Sequence, residues 1–444
     1  MPLFVTIFML FSIPILVYFK QYKALFVFGL LSYFTDFFFI YFGSFRFWAA
    51  GYIALWLMIF ERKIFVFDKA VIGRLFWFEW FIMLFVGSYF VFIEPWSDPY
   101  EKYRLVTQQL PMRTFVGMIR FAEVTFSFYF FYYIFKKKYV DLDYFVRATF
   151  YMGLVTFIVG LVDYMFLNGS IRLLFIPGHY ALTRFTGMMG EPRGVGQIMG
   201  LSIFIFISLG FKNPRLYKYS VIGMIVSFIS IGLCFSSTAI AYTSVVLLLF
   251  ILLGRLKIKY VFIITSIYLI SFFVLINNDK FVEHQNRRIM EVGLEMTISQ
   301  IPGVPPIINR FEVFDRTALA FLYFHPNNIW LGVGPNTITV PASEYLSDLD
   351  RDVYVGQINT TPFNGIISIA SRSGIVGLVL HLIGFMNIFY LILKSKDRQL
   401  MNLLILNSVY FILYHNLLSI MITGIICGIL IGYKNNQTNE LEYS

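Results

Sequence analysis

The sequence predicts an all-α fold, a polytopic transmembrane helix bundle, from two observations. Of the 444 residues, 58% are hydrophobic and only 14% are charged, whereas soluble domains carry roughly a quarter charged residues. Apolar runs long enough to cross a hydrocarbon core recur along nearly the whole chain. Because a membrane span must satisfy its own backbone hydrogen bonds, each run is expected to be a helix.

The apolar runs give about 13 spans, within a range of about 12–14. They cover residues 2–19, 24–42, 45–60, 75–93, 114–135, 149–167, 194–211, 219–235, 237–254, 260–277, 365–393, 399–415 and 417–433. Three regions follow from this division. Residues 1–276 hold ten helices with short connections, residues 277–363 form one large loop that we expect to contain short helices, and residues 364–444 hold three helices and a short tail.

The charges between the spans predict the orientation of the chain. Short basic connections such as Lys20–Lys23 and Lys136–Arg147 alternate with connections that include 96–113, 168–193 and the large loop. Under the positive-inside rule the basic side is the cytoplasm, so the large loop is expected to lie on the opposite, outer side of the membrane. The net charge of +10 is therefore first an orientation signal, and it gives no reason to expect nucleic acid binding.

Basic residues also divide by type between the two sides. The cytoplasmic connections carry about 14 lysines and 6 arginines, whereas the outer regions carry about 2 lysines and 11 arginines. Arginine makes planar, bidentate contacts with phosphates and carboxylates, while lysine acts as a point charge. We therefore expect an anion-binding outer face, although a composition bias alone remains the alternative.

A first candidate site lies in the segment RFTGMMGEPRGVGQ, residues 184–197, at the predicted outer end of the seventh span. Pro192 suits the first turn of a helix, whose free amides and positive dipole end favour an anion. Arg184 and Arg193 flank this turn. Glu191 has two open roles, a salt-bridge partner of these arginines or an acid/base group.

A second candidate site lies in the large loop, in NRFEVFDRTALAFLYFHPNNIWLGVGPN, residues 309–336. Residues 311–324 have helical apolar spacing, and GVGPN ends the pattern with turn-forming residues. Arg310 and Arg316 are six residues apart and need not share a ligand. His325 could exchange protons near neutral pH, and a helix cap or a structural hydrogen bond is its alternative role.

The third candidate is TTPFNGIISIASRSG, residues 360–374, where the chain returns to the membrane with Asn364 and Arg372 near its start. Ionisable residues within spans are costly and mark functional sites by default. Those of this chain are Asp36, Glu79, Arg120, Glu123, Asp163, His381 and His415. Arg120 and Glu123 have the i,i+3 spacing of a simple ion pair on one helix.

The order of these motifs resembles the O-antigen polymerase (Wzy) and O-antigen ligase superfamily over about residues 180–395. The resemblance rests on RFTG…EP, the helix FSSTAIAYTS, the loop pattern R-x-E-x-F…HP…GVGPN and the re-entry pattern N-G…S-G-x-x-G. It implies a GT-C-like, metal-independent membrane glycosyltransferase without cofactors, acting on undecaprenyl-pyrophosphate-linked glycans. Ligases carry His-Asn at the re-entry motif, where this chain has Phe363-Asn364. The missing histidine favours a polymerase and leaves the general base open, with His325 and Glu191 as candidates.

The resemblance thus implies a polymerase of lipopolysaccharide biosynthesis, with donor and acceptor glycans, membrane lipid and a chain-length regulator protein as partners. Its alternatives are an O-antigen ligase and, from another class, a polysaccharide flippase or transporter. The residues that we expect to act in catalysis are Arg184, Glu191, Arg193, Arg310 and His325, and those that we expect to bind substrate are Arg316, Asn364, Arg372, Arg120 and Glu123. We expect the large loop to fold back so that Arg310, Arg316 and His325 approach Arg184, Glu191 and Arg193.

Overall fold

A computed structural model describes most of the chain. The described residues are 2–35, 40–42, 45–61, 71–96, 109–167, 185–189, 192–211, 213–234, 236–253, 300–346, 364–414 and 417–442, with isolated residues at 170, 171, 362 and between 261 and 290. Within these ranges the structure is a bundle of α-helices.

The α-helices occur in three groups along the chain. The first group comprises α1 (Pro2–Tyr18), α2 (Tyr22–Phe34), α3 (Ala49–Glu61), α4 (Val71–Ser88), α5 (Met112–Lys136), α6 (Leu142–Met165), α7 (Pro192–Ile205), α8 (Pro214–Leu233) and α9 (Ser237–Leu252). The second is α10 (Val313–Phe324), and the third comprises α11 (Gly365–Ser395), α12 (Arg398–Tyr414) and α13 (Leu417–Glu442). Single π-helical turns extend α4 through Tyr89–Ile93 and α7 through Phe206–Gly210.

The predicted helical bundle is confirmed, with local differences. A helix occupies each predicted span except 260–277, which falls largely outside the described residues. The predicted span 24–42 is helical only to Phe34, and strands Ile40–Phe42 and Phe45–Phe47 then pair antiparallel. Aromatic and β-branched side chains at these positions favour extended structure, which apolarity alone does not reveal. The last helix also continues to Glu442, into the region expected to be a short tail.

Helix α5 lies at the centre of the bundle. Every side chain from Phe128 to Phe135 is at most 3% exposed. Glycines of α13 allow this close packing, because a Cβ on Gly424 or Gly428 would lie 2.7 or 2.5 Å from the carbonyl oxygen of Phe128 or Tyr132. Small residues at such an interface let two helix backbones approach, which is a typical mode of helix packing in membranes.

The outward-facing surface of the bundle is strongly apolar. Bulky side chains point outward along α1 and α4, with Phe11 68% and Phe85 74% exposed. Soluble proteins rarely expose large apolar patches. In the described ranges, four helices are long and apolar enough to cross a membrane: Val71–Ile93, Leu142–Met165, Pro214–Leu233 and Gly365–Ser395. Six shorter apolar helices accompany them, as expected for a multi-pass membrane protein.

The described part of the large loop, residues 300–346, is termed the loop segment. It contains α10 and short 3-10 helices at Ile308–Arg310, Pro326–Ile329, Thr337–Thr339 and Pro341–Tyr345. The segment has its own apolar core, in which Phe321 and Val333 pack with Phe90 from the end of α4 and Ile367 from α11. The predicted helix in this loop is confirmed, and the shared core fixes the segment on the bundle.

Candidate functional site

The loop segment contacts the bundle at a kink in α11. Gly374 has φ 66° and ψ −161°, a conformation that interrupts the helix and that essentially only glycine adopts. A kink exposes backbone groups, and the loop segment satisfies them. The amides of Val333 and Gly334 donate to the carbonyls of Ser371 (2.9 Å) and Arg372 (3.0 Å), and the Val376 amide donates to the Trp330 carbonyl (3.2 Å). We term this set of backbone bonds the loop–helix joint.

The same loop also contacts α4 and α5. A Cβ on Gly334 would lie 2.8 Å from the Cα of Gly87, so the loop backbone lies directly against α4. On α5, the Arg113 Nε donates to the Asn336 carbonyl at 2.9 Å, and the hydroxyls of Thr114 and Thr337 are 2.9 Å apart. The GVGPN motif and the adjoining Thr337 are therefore held by contacts with α4, α5 and α11.

A buried ionic cluster lies beneath the loop–helix joint. Glu79 of α4 is fully buried, and its Oε1 accepts from the Arg372 Nε at 3.1 Å and from the Ser373 hydroxyl at 2.7 Å. The other oxygen of Glu79 lies 3.4 Å from the Nδ1 of His381. That Nδ1 lies 2.9 Å from the Gly377 carbonyl, which can only accept, so Nδ1 carries a proton.

Arg372 also packs on an aromatic ring. Its guanidinium carbon lies 4.9 Å from the centre of the Phe121 ring on α5. A cation over a ring face is attracted by the ring quadrupole, more strongly where water is excluded. Arg372, expected to bind substrate, is therefore anchored by Glu79 and Phe121 within the bundle.

Asn364 and Asp315 connect the start of α11 to α10. The Asn364 side-chain oxygen accepts from the amides of Ile366 (3.0 Å) and Ile367 (3.3 Å), an N-cap arrangement. The backbone N–H of Asn364 donates to the Asp315 carboxylate at 3.0 Å. The structure thus gives Asn364, expected to bind substrate, a role in starting the re-entry helix.

His325 ends α10 in an aromatic environment. Its ring stacks on Phe321 at 4.6 Å between ring centres and meets the edge of Trp96 at 5.7 Å. Its Nε2 lies 3.4 Å from the Tyr345 hydroxyl. Burial raises the pKa of Tyr345 above its usual value, with a further contribution from Glu344, so this hydroxyl keeps its proton at neutral pH.

The two arginines of the loop segment differ in environment. Arg310 is exposed, and it borders a groove of about 660 Å³ lined also by Gln300, Gly303 and Asn309. Arg316, by contrast, is 2% exposed and is one of the largest fully buried side chains. A buried guanidinium needs partners within the protein, whereas Arg310 is open to a ligand from outside.

Arg120 and Glu123 form an ion pair on α5, at 3.1 Å. The buried Glu123 carboxylate also accepts from the backbone amide of Trp48, immediately before α3. Asp163, near the end of α6, accepts from the amide of Ile171 at 2.8 Å. All three charged residues thus make local contacts within the bundle.

The first candidate site is described only in part. Arg184 and Glu191 lie outside the described residues, and Arg193 lies in the first turn of α7. Pro192 opens α7, as predicted from its suitability for that position. The expected approach of the loop segment to Arg184, Glu191 and Arg193 therefore stays a prediction.

Sequence reasoning did not connect Glu79 with Arg372. In the sequence, Glu79 and His381 stand out as ionisable groups within apolar runs, where a charge is costly, and Arg372 stands out in the segment that returns to the membrane. The spacing along the chain gives no sign that α4 and α11 are adjacent. Two unpaired charges of opposite sign within predicted spans are the one signal that could have suggested the pair.

In the described ranges, no group of three or more His, Cys, Asp or Glu side chains is arranged to hold a metal ion. Cys234 and Cys427 are both buried and are not joined in a disulfide bond.

Comparison with known proteins finds a family match over part of the chain. No curated protein matches the chain. Residues 222–382, from α8 through the loop segment to the middle of α11, match the Wzy_C family, described as O-antigen ligase. This region contains the loop–helix joint and most of the motifs that carry the resemblance. The match confirms that resemblance: residues 222–382 are similar to the O-antigen ligase family.

Proposed function

We propose that the protein is a polysaccharide polymerase that joins undecaprenyl-pyrophosphate-linked oligosaccharide repeat units at the periplasmic face of the bacterial inner membrane. The observation that carries the proposal is the loop–helix joint, which fixes the arginine-bearing loop segment at one end of the bundle. The family match over the same residues supports a membrane enzyme of the O-antigen ligase or polymerase type.

The proposed reaction is a glycosyl transfer between two lipid-linked glycans. A hydroxyl of the acceptor repeat unit attacks the anomeric carbon of the donor glycan and loses its proton to a base. The bond between that carbon and the phosphate oxygen breaks, and undecaprenyl pyrophosphate leaves with the electron pair. His325 and Glu191 are the candidates for the base. No metal enters the proposed reaction.

Arginines would stabilise the negative charge that builds on the departing pyrophosphate. Electrostatic stabilisation of this kind is usually the largest contribution to catalysis, with about 3–4 kcal/mol for one well-placed donor. Arg310 suits this role because its side chain is exposed beside the groove. We propose that Arg184 and Arg193 complete the anion site from the start of α7.

An O-antigen ligase is the second candidate, supported by the description of the matching family. A ligase would transfer the completed glycan to the lipid A core, with the same donor and leaving group. Phe363, where ligases have histidine, favours the polymerase. A transporter needs charged groups that a substrate can reach near the membrane midplane, but Arg120, Glu123 and Asp163 all make contacts within the protein.

The test uses purified protein in liposomes with a lipid-pyrophosphate-linked repeat unit. A polymerase produces a ladder of longer lipid-linked glycans and releases undecaprenyl pyrophosphate, without nucleotide sugar. A ligase requires added lipid A core and gives no ladder. Movement of the intact repeat unit across the bilayer without any glycan lengthening would refute both enzymes and support the transporter.

A further inference from the structure

We propose that Glu79 is a positioning residue that holds the loop segment on the bundle through Arg372 and Ser373. Its importance for glycosyl transfer rests on the proposed function, whereas its structural effect does not. The inference starts from the location of the two partners of Glu79. Arg372 and Ser373 directly precede the kink at Gly374, and the Arg372 carbonyl is itself part of the loop–helix joint.

The contacts of Glu79 restrain both residues at once. One carboxylate oxygen accepts from the Arg372 Nε at 3.1 Å and from the Ser373 hydroxyl at 2.7 Å. Ser373 also donates to the Ile369 carbonyl, one turn earlier in α11, at 3.2 Å. Glu79 therefore connects α4 to the last turn before the kink. That turn presents the carbonyls that accept from Val333 and Gly334.

The kink needs such a restraint because a broken helix loses its own hydrogen bonds. Around Gly374, the joint replaces them with bonds to Trp330, Val333 and Gly334. These bonds form only if the two halves of α11 keep their relative orientation. Glu79 contacts both halves, because His381 on the second half lies 3.4 Å from its other oxygen.

The position of Arg372 should depend on the negative charge of Glu79. Glu79 is fully buried and the Arg372 side chain is only 11% exposed. Removing one member of a buried ion pair leaves the other charge uncompensated, which is more damaging than removing both. The loss of the Glu79 charge should therefore displace Arg372, and with it the carbonyl that accepts from Gly334.

The experiment measures backbone amide exchange on the full-length protein in lipid nanodiscs. Glu79→Gln keeps the shape of the side chain and removes its charge. We expect peptides covering residues 330–337 to exchange at least about tenfold faster than in the wild type, since protection reports local opening. Amide exchange in peptides covering Phe128–Phe135 should be unchanged, because this part of α5 packs against α13, away from the joint.

Two further variants distinguish the effect of the Glu79 charge from general destabilisation of the bundle. Glu61→Gln is the matched control, because Glu61 accepts hydrogen bonds from Tyr22 at 2.7 Å and from Tyr133, away from the joint. In this variant, amide exchange at 330–337 should match that of the wild type. The double variant Glu79→Gln/Arg372→Gln removes both charges and should return exchange at 330–337 to within about threefold of the wild type, because coupled residues are not additive.

Each outcome decides the proposal. Unchanged exchange at 330–337 in Glu79→Gln, or equal acceleration in the Phe128–Phe135 peptides, would overturn it. If Glu79→Gln does not insert stably, Glu79→Asp and Ser373→Ala replace it, and unchanged exchange at the joint in both overturns it too. Faster exchange at the joint, together with a wild type that transfers no glycan, would keep the positioning role and refute the proposed function.

Discussion

Gly374 lies directly against the backbone of Trp330. A Cβ built on Gly374 would lie 2.3 Å from both the carbonyl carbon and the carbonyl oxygen of Trp330. The contact joins the re-entry helix to the loop segment at the point where the helix is broken. Glycine is required at this position for two reasons: it can adopt these backbone angles, and it has no side chain to collide with Trp330.

Gly374→Ala should therefore disrupt the loop–helix joint. The added methyl group meets the Trp330 carbonyl, and a φ of 66° with ψ of −161° is strained for alanine. We expect loss of glycan polymerisation and faster proteolysis within residues 325–340. Gly153→Ala is the control, because the nearest atoms to its Cβ are 3.8 Å away. Normal activity and protease resistance in Gly374→Ala would contradict the assigned kink.

Variants of Asn364 should distinguish capping from substrate binding. Its oxygen accepts from two amides at the start of α11, so Asn364→Ala should lower the free energy of unfolding by about 1 kcal/mol. Asn364→Asp and Asn364→Ser keep a capping oxygen and should keep most stability and activity. Thermal denaturation and polymerisation are measured together. If Asn364→Asp is stable but as inactive as Asn364→Ala, the side-chain amide contacts substrate.

Arg310 and Arg316 should respond differently to replacement by lysine. Arg310 is exposed, so Arg310→Lys should leave thermal stability unchanged and reduce polymerisation about 10²-fold, since lysine loses the bidentate contact to a phosphate. Arg316 is buried, so Arg316→Lys should lower the melting temperature. Activity assays are normalised to folded protein. Full activity in Arg310→Lys would remove Arg310 from the proposed anion site.

The orientation of the chain can be tested by cysteine labelling. Cys234 and Cys427 are both buried thiols outside any disulfide bond, and each is first replaced by alanine. A single cysteine at Lys137, at the end of α5, should then be protected from an impermeant maleimide in intact cells. One at Ser347, which lies just after the described loop segment, should react after the outer membrane is made permeable. Labelling of both positions to the same extent would refute the predicted topology.

The fold class and the approximate positions of most described helices follow from the sequence alone. An apolar run predicts a helix from its local sequence, because each spanning helix satisfies its backbone hydrogen bonds within itself. For this reason a helix occupies each predicted span among the described residues, from Pro2–Tyr18 to Leu417–Glu442, although the span 24–42 is helical only to Phe34. The motifs from GVGPN to S-G-x-x-G were also visible locally, and the family match covers them.

Which side chains contact one another depends on the tertiary structure. The partnership of Glu79 with Arg372 spans 293 positions of the chain, and no periodicity encodes such a contact. The same holds for the two loop arginines: the sequence predicts an anion-binding role for both, whereas packing buries Arg316 and leaves Arg310 exposed. The physical reason is that burial and ion pairing depend on which helix faces approach one another, and in an apolar chain many arrangements satisfy the same hydrophobic pattern.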